Sequence, residues 1–292
     1  IGFIALALGA RGQNDASAQA QIEKLTNSLK YERGEIRIHD GLATLNVPPA
    51  FKYLDSKDAK TVLVNLWGNP PDQADDVIGL LMPADTGPLD TNCWAVTISY
   101  NNSGYVRDND ASKINYDDLL KKMQQSVREA NKERAAKGYP EVELVGWAAA
   151  PSYDAATHKL YWAKEIKFGG EPENTLNYEI RILGRHGVLD LDAVAGMHQL
   201  TEIENQAPAI LKMVNFDQGN RYADFNPKID KVAKYGLAAL VAGGIAGAAV
   251  KLGLFKLIWV FIIAAKKFII VAIAAIVVFL GKLFKGRKQG TP

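Results

Sequence analysis

The sequence predicts an α+β domain, a mainly antiparallel sheet flanked by helices, followed by a C-terminal transmembrane helical segment. Three observations carry this. Short runs of alternating apolar and polar residues recur between residues 35 and 195, and several follow one another across tight turns, as hairpin-linked strands do. Stretches with apolar residues at helical spacing separate groups of these runs rather than alternating with them one for one, which argues against a doubly wound nucleotide-binding fold. From residue 235 to 288 the chain carries no Asp or Glu and is apolar for nearly its whole length.

Taken in order, residues 19–31 (QAQIEKLTNSLKY) predict a short helix, with Ile22, Leu25 and Leu29 on one face. EIRIH (35–39) and LATLNV (42–47) flank Asp40-Gly41 and predict a hairpin. Pro48-Pro49 ends the second strand, because proline has no N–H to give to the ladder. Ser56 is the expected N-cap of a helix over 57–67, with Asp58 in its first turn. VIGLLMP (77–83) and CWAVTISY (93–100) read as strands, and residues 105–115 as a polar loop. The clearest helix covers 116–137. Asn115 is placed to cap it, Asp117 and Asp118 stand in its first turn, Arg134 and Lys137 in its last, and Gly138 and Pro140 stop it. Leu119, Leu120, Met123 and Val127 form its apolar stripe. Strands follow at 142–149, 159–168, 175–184 and 187–195, with a tight turn at His186-Gly187, and then a helix over 198–213. The segment 215–227 is polar and aromatic and reads as a link.

The charge balance separates two unlike parts. All ten lysines and arginines from Lys231 onward lie without a single acid among them, which leaves residues 1–230 at about −8 although the whole chain is +2. An acidic body argues against nucleic acid as a partner, and a basic, apolar tail suits an anionic lipid bilayer. The single cysteine, Cys93, excludes a disulfide framework and reads as a small buried hydrophobe. At the other end, IGFIALALGA followed by Ala18-Gln19-Ala20 predicts the remnant of a secretory signal peptide over 1–20, the alternative being an uncleaved apolar segment. The expected organisation is therefore 1–20 as leader, 21–227 as an extracytoplasmic domain, and 228–292 as a membrane anchor with a basic cytoplasmic end.

The segments VELVGWA, HKLYWAKE, LNYEIRILGR and GNRYADFNP, within residues 30–250, resemble a bacterial family of uncharacterised membrane-anchored proteins, domain of unknown function two-one-six-seven. That resemblance implies a signal peptide, an extracytoplasmic domain and a C-terminal anchor, and brings no catalytic residues with it. The order of elements is also similar to the Mog1/PsbP-like sandwich, a likeness of fold that transfers no function.

Candidate chemistry is sparse. No Gly-x-Ser-x-Gly, P-loop or Cys-x-x-Cys occurs, and Ser99 and Ser103 have no partner signal. His39, His158, His186 and His198 never recur at the i, i+4 spacing of a zinc site. Asp108-Asn109-Asp110 opens like a calcium loop, but Lys113 and Leu119 stand where an EF-hand needs Gly and Glu. No metal, cofactor or catalytic residue is assigned. Asp190 and Asp192 share one strand face, a pattern that fits either an acid/base pair or a solvated strand. Tyr153, Asp154, His158, Arg181, Arg221, Tyr222 and Asp224 form the candidate ligand-binding set, with a structural role in fixing the domain to its stalk as the competing reading of 219–227.

In the tail, Ala239, Gly243 and Gly247 make a small-xxx-small seam for helix packing. Trp259, Lys266 and Lys267 are expected at a membrane interface, since a lysine costs about 2.5–3.5 kcal/mol at the centre of an isolated spanning helix. The basic end favours a cytoplasmic C-terminus. The function expected is a non-catalytic scaffold or accessory protein of the bacterial inner membrane, its main domain periplasmic, assembling with itself or with another membrane protein. The alternatives are a tethered envelope enzyme or ligand-binding domain and, less favoured, an oligomeric channel.

Overall fold

The computed structural model describes residues 19–136 and 140–243. Its backbone is a seven-stranded antiparallel sheet. The strands are β3 (Phe51–Asp55), β4 (Val77–Pro83), β5 (Ala95–Asn101), β7 (Val142–Asp154), β8 (Lys159–Phe168), β9 (Thr175–Leu183) and β10 (Val188–Gly196), in the order β3-β4-β5-β10-β9-β8-β7. A three-stranded sheet, β1 (Gly34–Ile38), β2 (Ala43–Val47) and β11 (Val214–Phe216), and a two-stranded ribbon, β6 (Tyr105–Arg107) with β12 (Val232–Gly236), complete the strands. The helices are α1 (residues 19–28), α2 (Ser56–Lys60), α3 (Tyr116–Ala136), α4 (Leu200–Met213) and α5 (Leu237–Val241). The expected α+β class, antiparallel strands flanked by helices, is what the chain forms.

Alternation along the central strands builds two different faces. Val96, Ile98, Tyr178, Ile180, Ile182, Leu189 and Leu191 point to the first face, where α4 and the small sheet bury them with Ile203, Ile210, Leu45 and Phe216. Lys159, at the start of β8, sends its ammonium to the carbonyls of Leu211 and Val214 at the end of α4. It thereby satisfies acceptors that a helix C-terminus leaves open and meets its negative dipole end. The second face is covered in pieces. Leu29, Val62, Leu63 and Leu66 pack over the β3–β4 edge, Met123 and Val127 of α3 over β7–β8, and Leu237, Leu240 and Val241 of α5 over Leu160, Trp162, Leu183 and Val188.

Both expected hairpins form. Ile38 pairs with Ala43 around His39, Asp40 and Gly41, all at positive φ, and Leu183 pairs with Val188. Asn115 caps α3, accepting from the Asp118 N–H at 3.1 Å.

Three expectations need correction, and one strand has no counterpart in the sequence reading. Phe51–Asp55 is an edge strand, with Phe51 and Tyr53 buried on one face and Lys52 and Leu54 on the other. Pro48-Pro49 ended one strand, and the next began at once. The helix after it is capped by Asp55 rather than Ser56, the Asp58 N–H reaching Asp55 Oδ1 at 2.9 Å, and it widens into a π-helical turn over Thr61–Leu66. Residues 105–107, expected in a loop, pair in parallel with Val232–Gly236. Finally, residues 232–241 were expected in the anchor, yet they supply β12 and α5 to the domain because Leu237, Leu240 and Val241 find apolar partners on the second face. No helix among the described residues is long and apolar enough to cross a membrane. Residues 1–18 of the predicted leader, Gly247, Trp259, Lys266 and Lys267 lie outside the described residues, and Gln19 and Ala20 open α1.

Candidate functional site

The seven residues expected to bind a ligand do not converge on one hollow. Tyr153, His158 and Tyr222 do meet. The Tyr153 hydroxyl donates to Asp108 Oδ2 at 2.6 Å and lies 3.1 Å from His158 Nδ1, and the His158 ring stacks on Tyr222 with centroids 4.0 Å apart. Tyr105 continues the stack between Tyr222 and Phe225, at 4.4 Å and 3.8 Å. The Tyr222 hydroxyl is spent on the Val106 carbonyl. Burial, with the Asp108 hydrogen bond, pushes the Tyr153 phenol up, and burial likewise raises Tyr222. Burial alone would raise Asp108, but hydrogen bonds, that of Tyr153 first, hold it below the usual carboxylate range. The Tyr153 and Tyr222 hydroxyls are both engaged locally, so the stack works as a latch tying the β7–β8 turn and residues 222–225 to β6. His158, at φ 53, occupies the turn position that the latch requires.

Asp154, Arg221 and Asp224 serve the backbone. Asp154 takes the Ala156 N–H and the Thr157 hydroxyl, closing the β7–β8 turn. Asp224 takes the N–H groups of Gly219 and Arg221 together with the Arg221 guanidinium. The structural reading of GNRYADFNP is the one its geometry supports. Gly243 sits at φ 90 with its N–H on the Leu240 carbonyl, ending α5 as a C-terminal glycine. Within the described residues, Ala239 and Gly243 therefore do not lie on one continuing helix, as the expected seam requires.

Arg181 belongs to a different assembly, in the middle of the second face. Strand register lines up three rows across that face: Thr97, Asp192, Glu179 and Trp162; Ser99, Asp190, Arg181 and Leu160; Ala95, Val194, Asn177 and Lys164. Arg181 Nη1 lies 2.7 Å from Asp192 and Nε 3.0 Å from Asp190, while Lys164 lies 2.7 Å from Glu179. Glu179 is fully buried. Three carboxylates thus share two cations. Burial is the largest effect on both Asp190 and Glu179: it pushes Asp190 up to about 7, against the pull of Arg181, and raises Glu179 as well. Asp190 Oδ1 lies close to the guanidinium without the alignment of a hydrogen bond, and Glu179 Oε2 and Asn177 Oδ1 have no hydrogen-bond partner. The expected pair of same-face aspartates exists, but both share one arginine rather than facing open solvent.

Beside this network, where α1 and α2 leave off and α3 has not begun, the second face opens into a cavity of about 220 Å³. Thr97 and Asp192 lie along it, Leu63, Trp67 and Phe168 form apolar wall, and Glu173 and His198, paired at 2.5 Å, stand at the rim. Leu63 belongs to the π-helical turn and Asn69 follows it closely, and such turns are frequent at functional sites. Sequence reading missed Lys164, Glu179, Trp67 and Asn69. Glu179 carries a signal, since charges sit every second residue through β9 and β10, at Glu179 and Arg181 and at Asp190 and Asp192, whereas Lys164 stands alone on its face of β8. Asn69 carries none, because only the folded turn brings it there. Among the described residues no group of three His, Cys, Asp or Glu side chains is placed to hold a metal ion.

A buried charge network thus lies beside an apolar-walled cavity on one face of an antiparallel α+β domain. The chain belongs to the family described as "Protein of unknown function (DUF2167)", whose model matches residues 30–277. Two solved structures are similar in fold. The solution structure of cyanobacterial PsbP (CyanoP) from Synechocystis sp. PCC 6803 shares 9% identity over 65% of this chain and 93% of that one, with a TM-score of 0.35. The Ran-binding protein Mog1p of Saccharomyces cerevisiae shares 11% over 68% of this chain and 100% of its own, at 0.32. Comparison with curated proteins gave no match.

Proposed function

We propose that this chain is a non-catalytic accessory protein held at a bacterial inner membrane by its C-terminal apolar segment, with the α+β domain on the periplasmic side. One observation supports this reading above the others. The last described residues before the apolar tail are built into the domain: β12 pairs with β6, and Leu237, Leu240 and Val241 are buried against the sheet. A tethered enzyme works on a flexible leash, whereas a domain whose own core runs into the apolar segment is held close and at a fixed orientation, as a scaffold needs. The second reading, a ligand-binding domain, has the cavity beside Asp192 in its favour.

The test is membrane topology of the full chain. Carbonate washing leaves the protein in the membrane, a fluorescent protein fused after Pro292 matures in the cytoplasm, and protease added to spheroplasts digests the domain. Cross-linking in intact membranes then yields a homo-oligomer or one reproducible partner. Release of the chain by carbonate would refute the anchor, and an exclusively monomeric, partnerless protein would refute the scaffold.

A further inference from the structure

The second-face cavity combines three features that select one ligand chemistry. Its walls are apolar on the side of Leu63, Trp67 and Phe168, and its other side carries acceptors: Asp192 and Thr97 below, Asn69 and Glu173 around. No lysine or arginine lines it. The acceptors exceed the donors that the fold supplies. Asn69 is 7% exposed and its Oδ1 has no hydrogen-bond partner, and in the row directly beneath, the neighbour of Asp192, Glu179, is fully buried, its Oε2 without a hydrogen bond and 3.8 Å from Arg181 Nη2. Asp192, the carboxylate of the network that lines the cavity, shares the single guanidinium of Arg181 with Asp190 and Glu179. A buried charge is retained at low cost when it is paired, and a buried acceptor when it receives a donor.

We propose that this cavity binds a primary ammonium carried on a short, unbranched apolar stem, the stem against Trp67 and Phe168 and the ammonium at Asp192 and Asn69. The inference goes beyond the membrane-scaffold reading and does not depend on it. The same chemistry is offered by a free alkylamine and by the lysine side chain of a polypeptide.

The full chain in detergent is titrated calorimetrically at pH 8 with n-butylamine and, as its neutral counterpart, 1-butanol. A second pair, N-acetyl-lysine amide and N-acetyl-norleucine amide, distinguishes the two sources. The expected result is that at least one ammonium ligand binds tenfold or more tightly than its neutral counterpart. Preference for butylamine assigns a small amine, and binding by the lysine derivative assigns a side chain. Asp192→Asn weakens the ammonium ligand about tenfold. Because Asp192 also pairs with Arg181, Glu173→Gln at the exposed rim is the second variant, expected to weaken it severalfold with unfolding unchanged. The proposal is overturned if neutral and cationic members of both pairs bind alike, if none binds, or if both variants bind the ammonium ligand as the parent does.

Discussion

Replacing Asp190 by asparagine should flatten the pH dependence of folding. In the folded chain its carboxyl is pushed up to about 7 by burial, from an ordinary 3.8, although Arg181 Nε lies 3.0 Å away. An acid whose folded pKa lies above its unfolded one favours the folded state fully below the unfolded pKa, and that favour is lost as pH rises through the folded value. The window is therefore pH 4 to 7, and stability declines upward through it. A rise of about three pH units corresponds to roughly 4 kcal/mol. One fifth of the side chain is exposed, and water there relieves part of the cost. About 2 kcal/mol is the expected drop between pH 5 and pH 8 that disappears in Asp190→Asn. Urea unfolding of the full chain in neutral detergent, followed by tryptophan fluorescence at both pH values, measures it for parent and variant. The difference of differences matters, because loss of the contact with Arg181 shifts the variant at every pH. Parallel pH profiles for the two proteins would refute the account of Asp190 as a carboxyl strained by shared pairing.

Other substitutions test the rest of the fold. Leu237→Ala removes a fully buried side chain of α5 and should cost about 2–4 kcal/mol in the same urea assay, whereas a residue of a free linker would cost nothing measurable. Asn115→Ala deletes the cap of α3 and should cost about 1 kcal/mol, with fraying seen as faster amide exchange at Asp117 and Asp118. Gly187→Ala drives a Cβ into the Asn101 carbonyl oxygen and should cost about 1–3 kcal/mol, measured as a lowered urea midpoint.

Most of the sheet was legible because each strand carries its own alternation and each hairpin its own turn residues. Asp40-Gly41 and His186-Gly187 sit where the chain reverses, and Asn115 caps the helix it was expected to cap. What escaped depends on distant partners. Phe51–Asp55 lacks polar–apolar alternation because both its faces are covered, so no period of two appears. Residues 105–107 become a strand only because Val232–Gly236 arrives from far along the chain. The candidate residues were chosen for their chemical type, and the fold spent most of them locally: Asp154 on a turn, Asp224 on the loop that holds Arg221, Tyr153 and His158 on a stacked latch. Arg181 was chosen as a ligand-binding candidate and lies instead in the charge network, where Lys164 attracts notice only once register places it beside Glu179.

The β12–α5 segment and the cavity share the same face of the sheet. β12 and α5 occupy one end of the second face, the cavity the other, and the Arg181 network lies between them. Tyr235, the residue with which the tail was expected to begin, is bonded through its hydroxyl to Ser103 at 2.5 Å, and the charges of Asp190 and Arg181 reach its phenol. This placement sets 232–241 apart from a spanning segment despite its apolar composition. Its leucines are matched to Trp162, Leu183 and Val188, and the ribbon with β6 satisfies its backbone. On the scaffold reading proposed above, β12 and α5 are the described elements that lead toward the apolar segment, so oligomer formation would depend on the integrity of α5. Leu237→Ala should therefore weaken cross-linking in membranes along with stability, whereas Glu173→Gln, at the far end of the face, should leave cross-linking unchanged.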